Sequence, residues 1–140
     1  MNIVLFGPPG AGKGTQADNI ARAFNLHKIS TGDLLRDEIR NKTKLGEKIK
    51  SIVDKGLFVS DDIINNLIIN TLSNKKFYNR LIFDGYPRNL NQAKNLDKIL
   101  KKNKQKISAV ISLNVEENLV IKRVMGREIC SKCGITFNKF

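Results

Sequence analysis

The chain has 140 residues, 41% of them hydrophobic, enough for one domain with its own core. No apolar run approaches the roughly 20 residues of a membrane-spanning helix, and the Met1–Phe6 start lacks the length and basic leader of a signal peptide, so a soluble, cytoplasmic protein is expected. The net charge of +12 admits nucleic acid or anionic lipid as partners, but the lysines are dispersed, the densest run (Lys98 to Lys106) falls at a helix end that favours cations, and six per cent aromatics with no Trp leave few stacking platforms.

The favoured reading of that charge is a solvated lysine face, with no nucleic-acid partner and no membrane partner. In chain order, Asn2–Phe6 is an apolar strand candidate, followed by the loop Gly7-Pro8-Pro9-Gly10-Ala11-Gly12-Lys13-Gly14-Thr15. A helical pattern covers Lys13–Phe24, a short strand His27–Ile29, and two further helical stretches Gly32–Arg40 and Leu45–Lys55. No strand separates those two, so residues 30–59 read as an inserted flap. The pattern Ser60–Leu72 follows, with Ser60 as an N-cap, Asp61 and Asp62 in the first turn, and Ile63, Ile64, Leu67, Ile68 and Leu72 at helical spacing. Arg80–Phe83 is a strand ending at Asp84. Asn89–Lys101 is a helix, Ala109–Leu113 a strand and Val115–Met125 a helix. From Arg127 the texture changes, with Cys130 and Cys133 three residues apart. Strands alternating with helices predict a three-layer α/β fold, a parallel sheet with helices on both faces. Ligands in such sheets bind beyond the carboxyl ends of the strands, where the glycine loop lies.

That loop carries the strongest chemistry. Glycines let backbone N–H groups turn inward and let the chain approach an anion closely. The helix start adds the positive end of its dipole, and Lys13 adds a full charge for the β- and γ-phosphates of a nucleotide. Strand, glycine spacing, lysine and helix coincide, which a plain Gly/Pro turn does not require. Asp84, closing an apolar strand, is placed to hold Mg²⁺ directly or through water; capping of the next turn is the alternative. Gly85-Tyr86-Pro87-Arg88 forms a stiff turn presenting Arg88, whose planar guanidinium suits bidentate phosphate capture. Thr31 reads equally as the N-cap of the helix after it. Gln92 has an amide able to donate to and accept from an adenine edge, or is an exposed helix residue. Cys130 and Cys133 are half of a zinc site, free thiols or a redox pair. His27 is expected on the surface of a strand edge.

Four motifs occur together. They are Gly7–Thr15, with Gly14 rather than Ser or Thr after the lysine; Ser30-Thr31-Gly32-Asp33-Leu34-Leu35-Arg36; Asp84-Gly85-Tyr86-Pro87-Arg88 with Gln92; and Arg123-Val124-Met125-Gly126-Arg127. In order and spacing the chain resembles the adenylate kinases, within the nucleoside monophosphate kinases of P-loop NTPase fold. That resemblance implies Mg²⁺-dependent phosphoryl transfer, ATP + AMP ⇌ 2 ADP. It implies a core over residues 1–29 and 60–126, a monophosphate-binding insertion over 30–59 and the start of a lid over 127–140. By the same resemblance, Gly10, Ala11, Gly12, Lys13, Gly14, Thr15, Arg123, Arg127, Thr136 and Phe137 would bind ATP. Thr31, Arg36, Leu57, Phe58, Val59, Gly85, Tyr86, Pro87, Arg88 and Gln92 would bind AMP, with Lys13, Asp84, Arg88 and Arg123 catalytic. Insertion and lid would close over both substrates and exclude water. The cysteine pair resembles half of the zinc knuckle in many bacterial lids, the complete lid holding structural Zn²⁺. Against that family the sequence lacks the rest of the lid, two arginines, a core strand and a last helix, so an incomplete lid and reduced turnover are expected. Other expectations kept in view are a monomer, another nucleoside monophosphate kinase, a nucleotide-binding fragment without turnover, and a nucleic-acid binder using the +12 charge.

Overall fold

Alternation in the central strands decides the layering. Val4, Leu81 and Phe83 enter one hydrophobic cluster, while Ile3, Leu5 and Ile82 enter another. Successive strand residues point to opposite faces, so a strand buried along its whole length must be covered twice. The computed structural model describes residues 1–131 and 136–139. Four parallel strands form the sheet in the order β2-β3-β1-β4: β1 Asn2–Phe6, β2 His27–Ser30, β3 Leu81–Asp84 and β4 Ala109–Ser112. Helix α1 (Lys13–Phe24) covers one face through Ala17, Ile20 and Ala21. On the other face lie α4 (Asp61–Leu72), through Ile68 and Leu72, and α5 (Leu90–Lys102), through Leu96 and Leu100. Two further helices, α2 (Thr31–Arg40) and α3 (Lys44–Asp54), fall between β2 and α4. Their backbones nearly touch: a Cβ on Gly46 would lie 2.0 Å from the Glu38 carbonyl oxygen, so only glycine fits. Helix α6 (Glu117–Met125) follows β4. A short antiparallel ribbon of β5 (Arg127–Ile129) and β6 (Thr136–Asn138) completes the described chain. The three-layer α/β fold is the one expected.

The differences are local and have physical causes. The strand expected over Arg80–Phe83 runs one residue later, because Asp84 stays in register with Leu5 and Ser30 on either side. Thr31 is not the N-cap of α2. Ser30 is, its hydroxyl accepting from the Asp33 N–H at 3.3 Å. Ser60 stands at the N-cap of α4 in extended conformation, yet its hydroxyl caps nothing. The helix expected from Val115 begins at Glu117. His27 lies on the edge strand β2 but is half-buried, stacked on the Phe77 ring with centroids 3.6 Å apart. The β5–β6 ribbon was not foreseen.

Candidate active site

Strand β1 ends at Phe6 and α1 begins at Lys13, so residues 7–12 must reverse direction within six residues. Gly12 makes this possible: it occupies the N-cap of α1 with φ 85°, a left-handed conformation disfavoured for other residues. No side chain caps this helix, so the N–H groups of its first turn are left for a ligand. The loop wraps around the lysine: Lys13 Nζ donates to the carbonyls of Gly7 at 2.8 Å and Pro8 at 2.9 Å. Ala11 is buried, Gly10 and Gly14 are half-buried, and Thr15 is exposed. Asp84, at the end of the adjacent strand β3, reaches this loop; a Cβ on Gly14 would lie 3.6 Å from Asp84 Oδ2.

Two charges here are held against their preference. Burial pushes the Lys13 ammonium below its ordinary value; Asp84 opposes this, and Arg88 and Arg127 reinforce it. Burial pushes the Asp84 carboxyl above its ordinary range; Lys13 and Lys28 oppose this, and Asp33 and Asp18 reinforce it. Both shifts disfavour the charged forms although the charges are opposite, so desolvation outweighs their attraction.

A second cluster sits at the ends of β2 and β3. Thr31, 3% exposed, donates its hydroxyl to the Gly85 carbonyl at 3.1 Å. Arg88 Nε donates to that same carbonyl at 2.8 Å, and its Nη2 lies 3.4 Å from the Thr31 hydroxyl. Arg36 pairs with Asp33 at 2.6 Å, and Lys28 bridges Asp18 at 2.6 Å and Asp33 at 3.8 Å. The Asp33 carboxyl lies below its ordinary value despite burial, held there by Arg36, Ser30 and Lys28. Gln92 is not an exposed helix residue: at 2% exposure its amide is bonded within the protein. Tyr86 and Pro87 are buried. The Tyr86 hydroxyl donates to Asn65 Oδ1 at 2.8 Å and lies 3.3 Å from the Gln92 carbonyl, so its side chain serves the core. Leu57 and Phe58 are exposed and Val59 half-buried after α3.

On the other side of the loop, Arg123 Nη1 in α6 donates to the Gly10 carbonyl at 3.3 Å. Arg127 opens β5, while Phe137, 49% exposed, and Thr136 belong to β6. Asn138 Nδ2 donates to the Arg123 carbonyl at 2.7 Å, tying ribbon to helix. Lys13, Asp84, Arg88, Arg123 and Arg127 are thereby gathered around the glycine loop. Cys130 is half-buried; Cys133 lies outside the described residues. Among the described residues no group of three His, Cys, Asp or Glu could hold a metal. A concavity of about 370 Å³ elsewhere, lined by residues such as Asn79, Lys104 and Ser108, lies at the amino ends of the strands, away from these groups.

Sequence reasoning took Asp61 only as a helix-dipole residue, but its carboxylate crosses from α4 to Gln92 and Asn89. A carboxylate facing two amides from another element leaves no local signature.

A parallel sheet with a glycine loop and its lysine between β1 and α1, and an aspartate at the tip of the neighbouring strand, defines a phosphate-loop α/β protein. The family model described as adenylate kinase matches residues 5–135. Among curated relatives, the adenylate kinase of Pelagibacter ubique is 51% identical over the whole chain, covering 66% of that protein. Those of Enterococcus faecalis and Caldicellulosiruptor bescii are 45% and 43% identical over 99% of this chain, covering 64% of each. The chain belongs to the adenylate kinase family. It spans just under two thirds of the length of these relatives.

Proposed function

We propose that this chain carries the phosphoryl-transfer core for ATP + AMP ⇌ 2 ADP. The observation that carries the reading is the placement of two cationic clusters beyond adjacent strand ends, Lys13 in the glycine loop and Arg88 with Thr31 beside Gly85. Lys13 and the uncapped N–H groups of α1 suit a triphosphate tail. Thr31, Arg36 and Arg88 suit a monophosphate, with Gln92 toward its base and the backbone of Leu57, Phe58 and Val59 along its flank. Arg123, bonded to the Gly10 carbonyl, and Arg127, whose charge acts on Lys13, suit the triphosphate side, and Thr136 and Phe137 are assigned to it with them. Transfer between two nucleotides crowds negative charge and needs positioning and fixed cations more than covalent help.

Asp84 fits Mg²⁺: it is a half-buried carboxylate that burial raises and that takes part in none of the described ion pairs. Bound there with ATP, Mg²⁺ would neutralise charge developing on the phosphates. The opposed shifts of Lys13 and Asp84 support this, since phosphate beside one and a cation beside the other would relieve both. Cys130 and Cys133 would supply two of the four ligands that a tetrahedral zinc site takes. Among the described residues no helix is long and apolar enough to cross a membrane; the reading places the protein in the cytoplasm as a monomer.

Calorimetry with ATP and with AMP, followed by an AMP-dependent ADP-formation assay on the same preparation, tests the proposal. Saturable binding of both with turnover supports it. Binding of both without turnover reduces it to a nucleotide-binding module, and no heat with either ends it.

A further inference from the structure

One carboxylate on α4 faces two side-chain amides from the loop and helix that follow β3. Asp61 Oδ1 accepts from Gln92 Nε2 at 2.5 Å, and Oδ2 accepts from Asn89 Nδ2 at 3.0 Å. Gln92 Oε1 accepts from the Arg88 backbone N–H at 2.7 Å. Asn89 Oδ1 in turn accepts from the Gln92 N–H at 2.8 Å, capping α5. A carboxylate can only accept and a backbone N–H can only donate, so the Gln92 amide has one permitted orientation. Turning it over would set N–H₂ against N–H and oxygen against carboxylate at a site 2% exposed, where stranded polar groups are costly. Helix dipole alone does not explain this contact: Asp62 shares the first turn of α4 and stays exposed.

We propose that Asp61 is a positioning residue that makes the monophosphate site prefer a 6-amino purine over a 6-oxo purine, acting through the Gln92 amide. The inference rests on the reading of Thr31, Arg88 and Gln92 as that site. After its two protein bonds the amide keeps one N–H and one lone pair. Adenine offers the complement, a ring nitrogen acceptor beside an amino donor; hypoxanthine reverses both. An amide free to rotate would serve either base at little cost. Locked by Asp61 on one side and Arg88 N–H on the other, it serves only the first.

Titrations of the wild type, Asp61→Ala and Asp61→Glu with AMP, IMP and ribose 5-phosphate test this, with thermal melts as the folding control. The wild type is expected to prefer AMP over IMP by roughly 10- to 100-fold. Asp61→Ala should lower that preference severalfold without abolishing it, since the Arg88 N–H still opposes the turned amide, and Asp61→Glu should restore part of it. Ribose 5-phosphate affinity should stay within about twofold throughout, because the phosphate contacts of Arg88 and Thr31 do not involve Asp61; a general structural defect would move it too. Unchanged AMP-to-IMP preference in Asp61→Ala overturns the proposal. If that variant does not fold, Asp61→Leu, close in shape and unable to accept from either amide, carries the comparison: the same loss is expected and an unchanged preference again overturns the proposal. Equal wild-type affinity for AMP and IMP defeats the proposal while leaving the monophosphate site standing. Binding of none of the three ligands defeats the site reading and the proposal with it.

Discussion

Lys13 is held by carbonyls rather than by a carboxylate: its ammonium donates to Gly7 and Pro8, while burial and nearby Arg88 and Arg127 work against its charge. A polyphosphate would supply the missing counter-charge. Lys13→Ala should therefore weaken ATP binding by about 10- to 100-fold in calorimetry, a charge-assisted contact being worth roughly 1.5–3 kcal/mol. The thermal midpoint should move little, since the side chain bonds only to its own loop. Asp84 gives a prediction of opposite kind. Its folded carboxyl titrates above the ordinary 3.8, so the folded state holds the proton more tightly than the unfolded one. Its contribution to stability is then favourable in acid, declines as pH rises from 3.8 through the folded value, and is flat above. Asp84→Asn removes that penalty: melts should show a gain in midpoint at pH 7 that shrinks toward pH 4, while Mg²⁺-dependent ATP affinity falls. A loss of midpoint at pH 7 would mean that attraction to Lys13 outweighs desolvation after all.

At the scale of elements, the contact of α2 with α3 has no slack. Gly46 lies inside α3, where alanine would ordinarily gain about 0.5–1 kcal/mol, yet its Cβ would stand 2.0 Å from the Glu38 carbonyl oxygen. The clash wins, because a backbone oxygen cannot rotate away as a side chain can. Gly46→Ala should cost about 1–3 kcal/mol net in denaturant melts and should weaken AMP binding more than ATP binding, α2 carrying Thr31 and Arg36. What the sequence made legible follows the same division between local and distant contacts. The glycine loop, Lys13 and the strand ending at Asp84 were readable because strand, turn and helix are consecutive. Bounds drifted by a residue or two where register or capping decided them, as at Asp84 and Ser30. The β5–β6 ribbon escaped because strands of three residues carry no periodicity. The bond from Asp61 to Gln92 spans 31 residues and two elements. A first-turn aspartate looks the same whether it serves a dipole or a neighbour.

For the whole molecule the question is whether the +12 charge acts as a field or through a few groups near the site. Distance decides it. The five residues of β1 alone rise about 16 Å between the two ends of the sheet. Screening at physiological salt acts over about 8 Å. Lys104 and Lys106, exposed near the amino ends of the strands, are therefore screened from a nucleotide at the carboxyl ends, whereas Lys13, Arg88, Arg123 and Arg127 are not. Raising NaCl from about 50 to about 500 mM should weaken ATP binding several-fold and AMP binding less, as their charges differ. The double variant Lys104→Gln, Lys106→Gln should reproduce the wild-type salt slope and keep ATP affinity within about twofold. Arg123→Gln should flatten that slope. A flatter slope in the lysine pair would instead assign nucleotide capture to the charge of the molecule as a whole, with the cluster around the glycine loop as only its nearest part.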